Sequence, residues 1–233
     1  MGPRLLLISN STNHGEGYLD HVLQEIDGFL GPVRRLVFVP FALKDRSAYG
    51  AKVRQRLAAI GVEVATLTAD EAGHRLAAEA EAVFTGGGNT FRLLRTLQDS
   101  GLLPILRERA LAGMPYLGSS AGTNIAAPTI RTTNDMPIVE PASFAALGLV
   151  PFQINPHYLD PDPGSTHMGE TREQRIKEFH EENTAPVVGL REGAWLRIEG
   201  GHATLGGIRG ARIFQRGKAP EERGTGDSLD DLL

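Results

Sequence analysis

Pro115-Tyr116-Leu117-Gly118-Ser119-Ser120-Ala121-Gly122 passes from a short apolar run straight into a pentapeptide of the form G-x-S-x-G. The run reads as a buried strand, and the small residues Ala121 to Ala127 that follow suit a helix. Upstream the same alternation repeats. Apolar runs at Leu5–Ser9, Leu36–Phe41, Val62–Leu67 and Ala82–Thr85 are separated by stretches of helical spacing at Gly17–Phe29, Ser47–Ile60, Thr90–Gln98 and Leu103–Ala112. Strands that alternate with helices predict an α/β fold whose mostly parallel sheet is covered by helices. Ligands of such sheets gather at the carboxyl ends of the strands, where the pentapeptide lies.

Beyond Gly122 the pattern changes. Pro128, Pro137, Pro141, Pro151, Pro156, Pro161 and Pro163 break the chain into loops and short pieces, Phe152–Ile154 among them as a strand-like fragment. A helix is expected from Thr171-Arg172-Glu173-Gln174, which has the capping-box spacing. A late meander of strands is expected at Val187–Leu190, Trp195–Ile198, His202–Leu205 and Arg212–Phe214. From Gly217 the chain is polar and aperiodic. The expected organisation is one α/β domain over residues 1–216 and a flexible tail over 217–233.

The length of 233 residues suits one large domain, and 41% hydrophobic with 22% charged residues excludes disordered and coiled-coil chains. Lys and Arg number 24 against 28 Asp and Glu, with the basic residues scattered, so no nucleic-acid partner is expected. Without cysteine the chain has no thiolate nucleophile and no Cys-ligated metal. The apolar Leu5-Leu6-Leu7-Ile8 is too short for a signal segment, and no run is long enough for a bilayer; a cytoplasmic protein is expected.

In the pentapeptide, small neighbours would allow a turn sharp enough to push the Ser120 hydroxyl out toward the ligand edge. A Gly- and Ser-rich connection without chemistry fits the five residues equally well. Gly86-Gly87-Gly88-Asn89-Thr90 is a second strand-to-helix junction whose N–H groups could cradle an anion; it matches neither the P-loop nor the dinucleotide fingerprint. Asn89 or Thr90 would equally serve as a helix cap. A serine needs a base, and of seven histidines His157, in Gln153-Ile154-Asn155-Pro156-His157, is best placed, with His167 its rival. Asp135 and Glu192 each follow a turn and could orient the imidazole; the residues alone do not choose between them.

These motifs, in this order, resemble peptidase E, the aspartyl dipeptidase family of serine peptidases related to cyanophycinase. The resemblance also rests on Ser9-Asn10-Ser11-Thr12, Arg131-Thr132-Thr133-Asn134-Asp135-Met136-Pro137-Ile138 and Gly169-Glu170-Thr171-Arg172-Glu173-Gln174-Arg175, and it runs to about Phe214. It implies a glutamine-amidotransferase-like, flavodoxin-like three-layer sandwich with serine where a cysteine usually stands. It implies Ser120 as nucleophile, His157 as general base, the N–H groups of Gly88 and Ala121 as oxyanion hole, and either Glu192, the preferred candidate, or Asp135 as orienting carboxylate, with both in the site.

The implied substrate is a small peptide with N-terminal aspartate, its side chain held by Arg131 or Arg172 and its amino group by Asn89 or a carboxylate. No metal or organic cofactor is implied, and a homodimer is compatible. Two rivals stand beside this reading. One is a metal hydrolase built on His157, Asp160, Asp162, His167 and Glu170, which a chelator would inhibit; the other is a small-anion-binding module without catalysis.

Overall fold

The four residues Leu5–Ile8 (β1) have no exposed surface, so both faces of this strand must meet apolar neighbours. Leu5 and Leu7 enter one apolar cluster and Leu6 and Ile8 another, on opposite sides of the sheet. The computed structural model describes residues 2–161, 164, 166 and 169–233. After β1 come α1 (Leu23–Leu30), β2 (Arg35–Val39), α2 (Arg46–Leu57), β3 (Glu63–Thr66), α3 (Glu71–Glu79), β4 (Val83–Thr85), α4 (Thr90–Asp99), α5 (Leu102–Leu111), β5 (Tyr116–Ser119) and the short α6 (Ala121–Asn124). The second half adds β6 (Gln153–Tyr158), α7 (Arg172–Glu182), β7 (Val187–Arg191), β8 (Ala194–Glu199), β9 (His202–Gly207), β10 (Ala211–Phe214) and β11 (Glu221–Arg223).

A seven-stranded sheet runs β3-β2-β4-β5-β1-β8-β9. Its first five strands are parallel, and β8 and β9 extend it antiparallel. Helices α1 and α2 supply Ile26, Phe29, Val53 and Leu57 to one face, while α3, α4 and α5 supply Ala77, Leu93, Leu97 and Leu106 to the other. The α/β architecture expected from the alternation is therefore present. Helix α3 has no counterpart among the expected helices. Its buried residues are only Gly73 and Ala77, which give almost no hydrophobic signal, and Asp70 caps it by accepting the Gly73 N–H.

The late strands exist but do not form a meander. β8 and β9 join the large sheet, whereas β7 and β10 belong to a second sheet of order β11-β10-β7-β6. Chain continuity between the two sheets at this point is only Glu192-Gly193, which puts Glu192 at the crossing. The expected tail is corrected as well: β11 pairs with β10, Leu229 and Leu232 are buried in the main core, and the Leu229 N–H donates to the Ala203 carbonyl. The few leucines there, set among many polar residues, carry no periodicity, so the anchoring was invisible to a pattern search. Among the described residues no helix is long and apolar enough to cross a membrane.

Candidate active site

β5 ends at Ser119, and α6 begins at Ala121, so the whole change of direction falls on Ser120. Its backbone takes φ 53° and ψ −108°, a conformation disfavoured for any residue with a Cβ. The flanking glycines explain how the bend closes. A Cβ on Gly118 would lie 2.5 Å from the Gly122 carbonyl oxygen, and one on Gly122 would lie 2.0 Å from the Thr85 carbonyl oxygen. The bend is pinned to β1 by the Ser120 N–H and the Thr123 hydroxyl, which donate to the Ile8 carbonyl at 3.0 and 2.6 Å.

His157 lies in β6, again with a positive φ of 54°, at the place where the β6–β7 register shifts between Pro156 and Tyr158. Its Nε2 is 2.9 Å from Ser120 Oγ, and its Nδ1 is 2.6 Å from Glu192 Oε1. With Nδ1–H donating to the carboxylate, Nε2 is left to accept from the serine hydroxyl. Hydroxyl, imidazole and carboxylate in such a series can move a proton off the oxygen while the carboxylate stabilises the imidazolium that results. Glu192 and His157 are half-exposed, so the array opens to solvent and to ligand.

Asp135 sits elsewhere in the same hollow. It accepts from both the N–H and the hydroxyl of Thr90, each at 2.7 Å, at the start of α4. Of the two carboxylates left open by the sequence, Glu192 is the one in contact with His157. The hollow, about 340 Å³, is lined by Ser120, His157, Glu192, Ala121, Thr133, Asp135 and Arg172. Arg172 has no ion pair or hydrogen bond among the described residues; burial and the nearby Arg175 hold its guanidinium below the ordinary range, and Asp135 opposes them. A second hollow of about 600 Å³ meets the first at Ser120 and His157 and is lined by Gly87, Gly88, Tyr49 and Lys52. Neither the Gly88 nor the Ala121 N–H donates to a protein acceptor among the described residues, which leaves both for a ligand.

Two expected substrate contacts are not brought to the site. The Asn89 side chain caps α4 by accepting the Arg92 N–H and donates to the Met136 carbonyl, so both its ends are engaged. Arg131 lies over the Phe144 ring, 5.4 Å from its centroid, and lines neither hollow. Thr90, Thr133 and Tyr49 were not expected as site residues. Thr90 had been visible only as a cap, and Tyr49 is a helical residue whose hydroxyl abuts Gly86 from a distant part of the sequence.

Of the residues invoked for a metal, those that are described are otherwise engaged. Asp160 pairs with Arg191 at 2.7 Å, Glu170 with Arg175 at 3.5 Å, and Asp162 and His167 lie outside the described residues. Among the described residues no group of three or more His, Asp or Glu is disposed to hold an ion.

The model of peptidase family S51 matches residues 5–206. The chain belongs to peptidase family S51. It is 61% identical over 231 residues to Peptidase E of Streptomyces coelicolor, covering 98% of this chain and 94% of that one. It is 48% identical over 232 residues to the Probable alpha-aspartyl dipeptidase of Drosophila melanogaster, covering 98% and 97%. The solved structure of a putative Peptidase E protein from Listeria monocytogenes EGD-e has the same fold, with a TM-score of 0.69 at 22% identity over 89% of this chain and all of that one. As an S51 member the protein is a serine peptidase, a hydrolase, in agreement with the expectation drawn from its motifs.

Proposed function

We propose that the protein removes an N-terminal aspartate from dipeptides, with Ser120 as nucleophile, His157 as general base and Glu192 as the carboxylate that orients it. The observation that carries this reading is the unbroken series from Ser120 Oγ to His157 Nε2 at 2.9 Å and from His157 Nδ1 to Glu192 at 2.6 Å. His157 takes the serine proton as Oγ attacks the scissile carbonyl. The tetrahedral oxyanion lies against the N–H groups of Gly88 and Ala121. His157 then returns the proton to the leaving amine, and water admitted to the same imidazole hydrolyses the aspartyl ester.

Substrate choice follows from the two hollows. The one lined by Arg172 and Asp135 takes the aspartyl residue: the guanidinium faces the side-chain carboxylate, and Asp135, with lone pairs beyond its Thr90 contacts, receives the α-ammonium. The larger hollow on the Gly87–Gly88 side takes the leaving residue, and its breadth fits tolerance there. The relatives named Peptidase E and alpha-aspartyl dipeptidase support the aspartyl preference. We also read the sheet with its two helical faces as the flavodoxin-like three-layer sandwich.

The test is hydrolysis of Asp-Leu and Ala-Leu by the wild type and Ser120→Ala. The wild type should cleave Asp-Leu far faster than Ala-Leu, and the alanine variant should lose about 10⁴-fold or more of kcat. Near wild-type turnover without the hydroxyl would remove the serine mechanism, and equal cleavage of the two peptides would remove the aspartyl pocket.

A further inference from the structure

Three consecutive residues at the end of β1 each hold one member of the site. The Ile8 carbonyl accepts the Ser120 N–H, the Ser9 hydroxyl accepts the His157 N–H at 2.9 Å, and the Asn10 side-chain oxygen accepts the N–H of Gly193, next to Glu192, at 2.7 Å. Ser9 is the unusual one. It is fully buried, and its hydroxyl also donates to the Leu190 carbonyl of β7 at 2.8 Å.

β6 and β7 are parallel partners with Pro156 facing Leu190 and Tyr158 facing Arg191, so His157 faces no residue. Its N–H therefore lacks a regular ladder acceptor, and a buried N–H must find one. The Ser9 hydroxyl stands in the gap, accepting from one strand and donating to the other. A side chain of the large sheet is thus wedged into the ladder of the small one, at the residue whose positive φ swings its imidazole toward Ser120.

We propose that Ser9 is a positioning residue of the hydrolytic reaction, whose hydroxyl keeps β6 open at His157 and so holds the imidazole within reach of Ser120 and Glu192. The proposal rests on the serine reading above. Without the hydroxyl, the His157 N–H and the Leu190 carbonyl are free to pair directly, which flattens the bulge and withdraws the imidazole. A displacement of about 1 Å at a reacting group costs on the order of 10²-fold in rate.

The experiment measures kcat, KM and the pH profile of kcat/KM for Asp-Leu with Ser9→Ala, alongside Ser120→Ala and a thermal melt. Ser9→Ala should be folded, with kcat down about 10- to 100-fold, KM within about twofold of wild type, and the acid limb of the profile shifted, since the imidazole then meets Glu192 in a different geometry. If the alanine variant does not fold, Ser9→Cys decides: its longer, weaker hydrogen bonds should lower kcat about tenfold at unchanged KM. Wild-type kcat with an unmoved acid limb in either folded variant overturns the role of Ser9. Activity surviving in Ser120→Ala would instead overturn the serine reading itself, so the two failures are distinguishable.

Discussion

Ser120 and His157, whose Oγ and Nε2 lie 2.9 Å apart, both hold positive-φ backbone conformations, with φ of 53° and 54°. Leu19 is the other described non-glycine residue with a positive φ. Each such residue costs about 1–3 kcal/mol and persists only where the surroundings fix it. Here the surroundings are the interlocked glycines of the elbow on one side and the Ser9 wedge on the other. The two strained residues are the two that must meet, so stability has been given up at the point of contact.

That strain is measurable at Ser120. Glycine tolerates the observed backbone, whereas alanine keeps the Cβ that opposes it. Ser120→Gly should therefore be more stable than Ser120→Ala by about 1 kcal/mol in chemical denaturation, with both inactive. Equal stability would mean that the elbow is unstrained.

The two carboxylates should separate kinetically. Glu192→Gln leaves the imidazole without an anionic partner and should lower kcat about 10²- to 10⁴-fold with KM little changed. Asp135→Asn keeps hydrogen-bonding capacity at Thr90 but loses the charge offered to the substrate ammonium, and should act mainly by raising KM. Steady-state kinetics on folded variants tests this; a larger kcat loss in Asp135→Asn would reverse the assignment.

Arg172 is a half-buried cation that makes no direct ion pair among the described residues and faces Asp135 across the hollow. Arg172→Met should lower kcat/KM for Asp-Leu about 10²-fold while leaving the melting temperature within a few degrees, because no ion pair is broken. Arg131→Met, placed on Phe144 away from both hollows, should leave kcat/KM within about twofold.

The elements legible in advance were those written in local pattern. The parallel strands carry continuous apolar runs, the elbow carries its glycines, and Thr171 and Gln174 form the capping box read from their spacing. What escaped depended on distant partners. Ser9 could be read as a strand end within a family motif, but its contacts with β6 and β7 could not. β7 and β8 looked like neighbours in a meander because nothing in two residues, Glu192 and Gly193, announces a change of sheet. Asn89 was read as a ligand as readily as a cap, since the same side-chain oxygen serves either role.

The packed C-terminal segment should loosen in acid. Asp230 accepts the Ala203 N–H and an imidazole hydrogen bond from His202, which hold its carboxyl down at about 2. A carboxyl depressed in the folded state stabilises it fully above the ordinary carboxylate range, and that stabilisation is lost as pH falls from about 4 toward 2. Asp230→Asn should flatten this part of the stability curve, with earlier proteolysis near the C-terminus at neutral pH. An unchanged acid profile would show that the contact contributes nothing.

The most direct test of the central claim is chemical labelling of the serine. A serine-directed acylating reagent, mapped by mass spectrometry, should modify one residue per chain, Ser120, in step with loss of Asp-Leu hydrolysis, and His157→Ala should abolish the reaction. A protein that is inactivated without label on Ser120, or labelled there while fully active, would contradict the account.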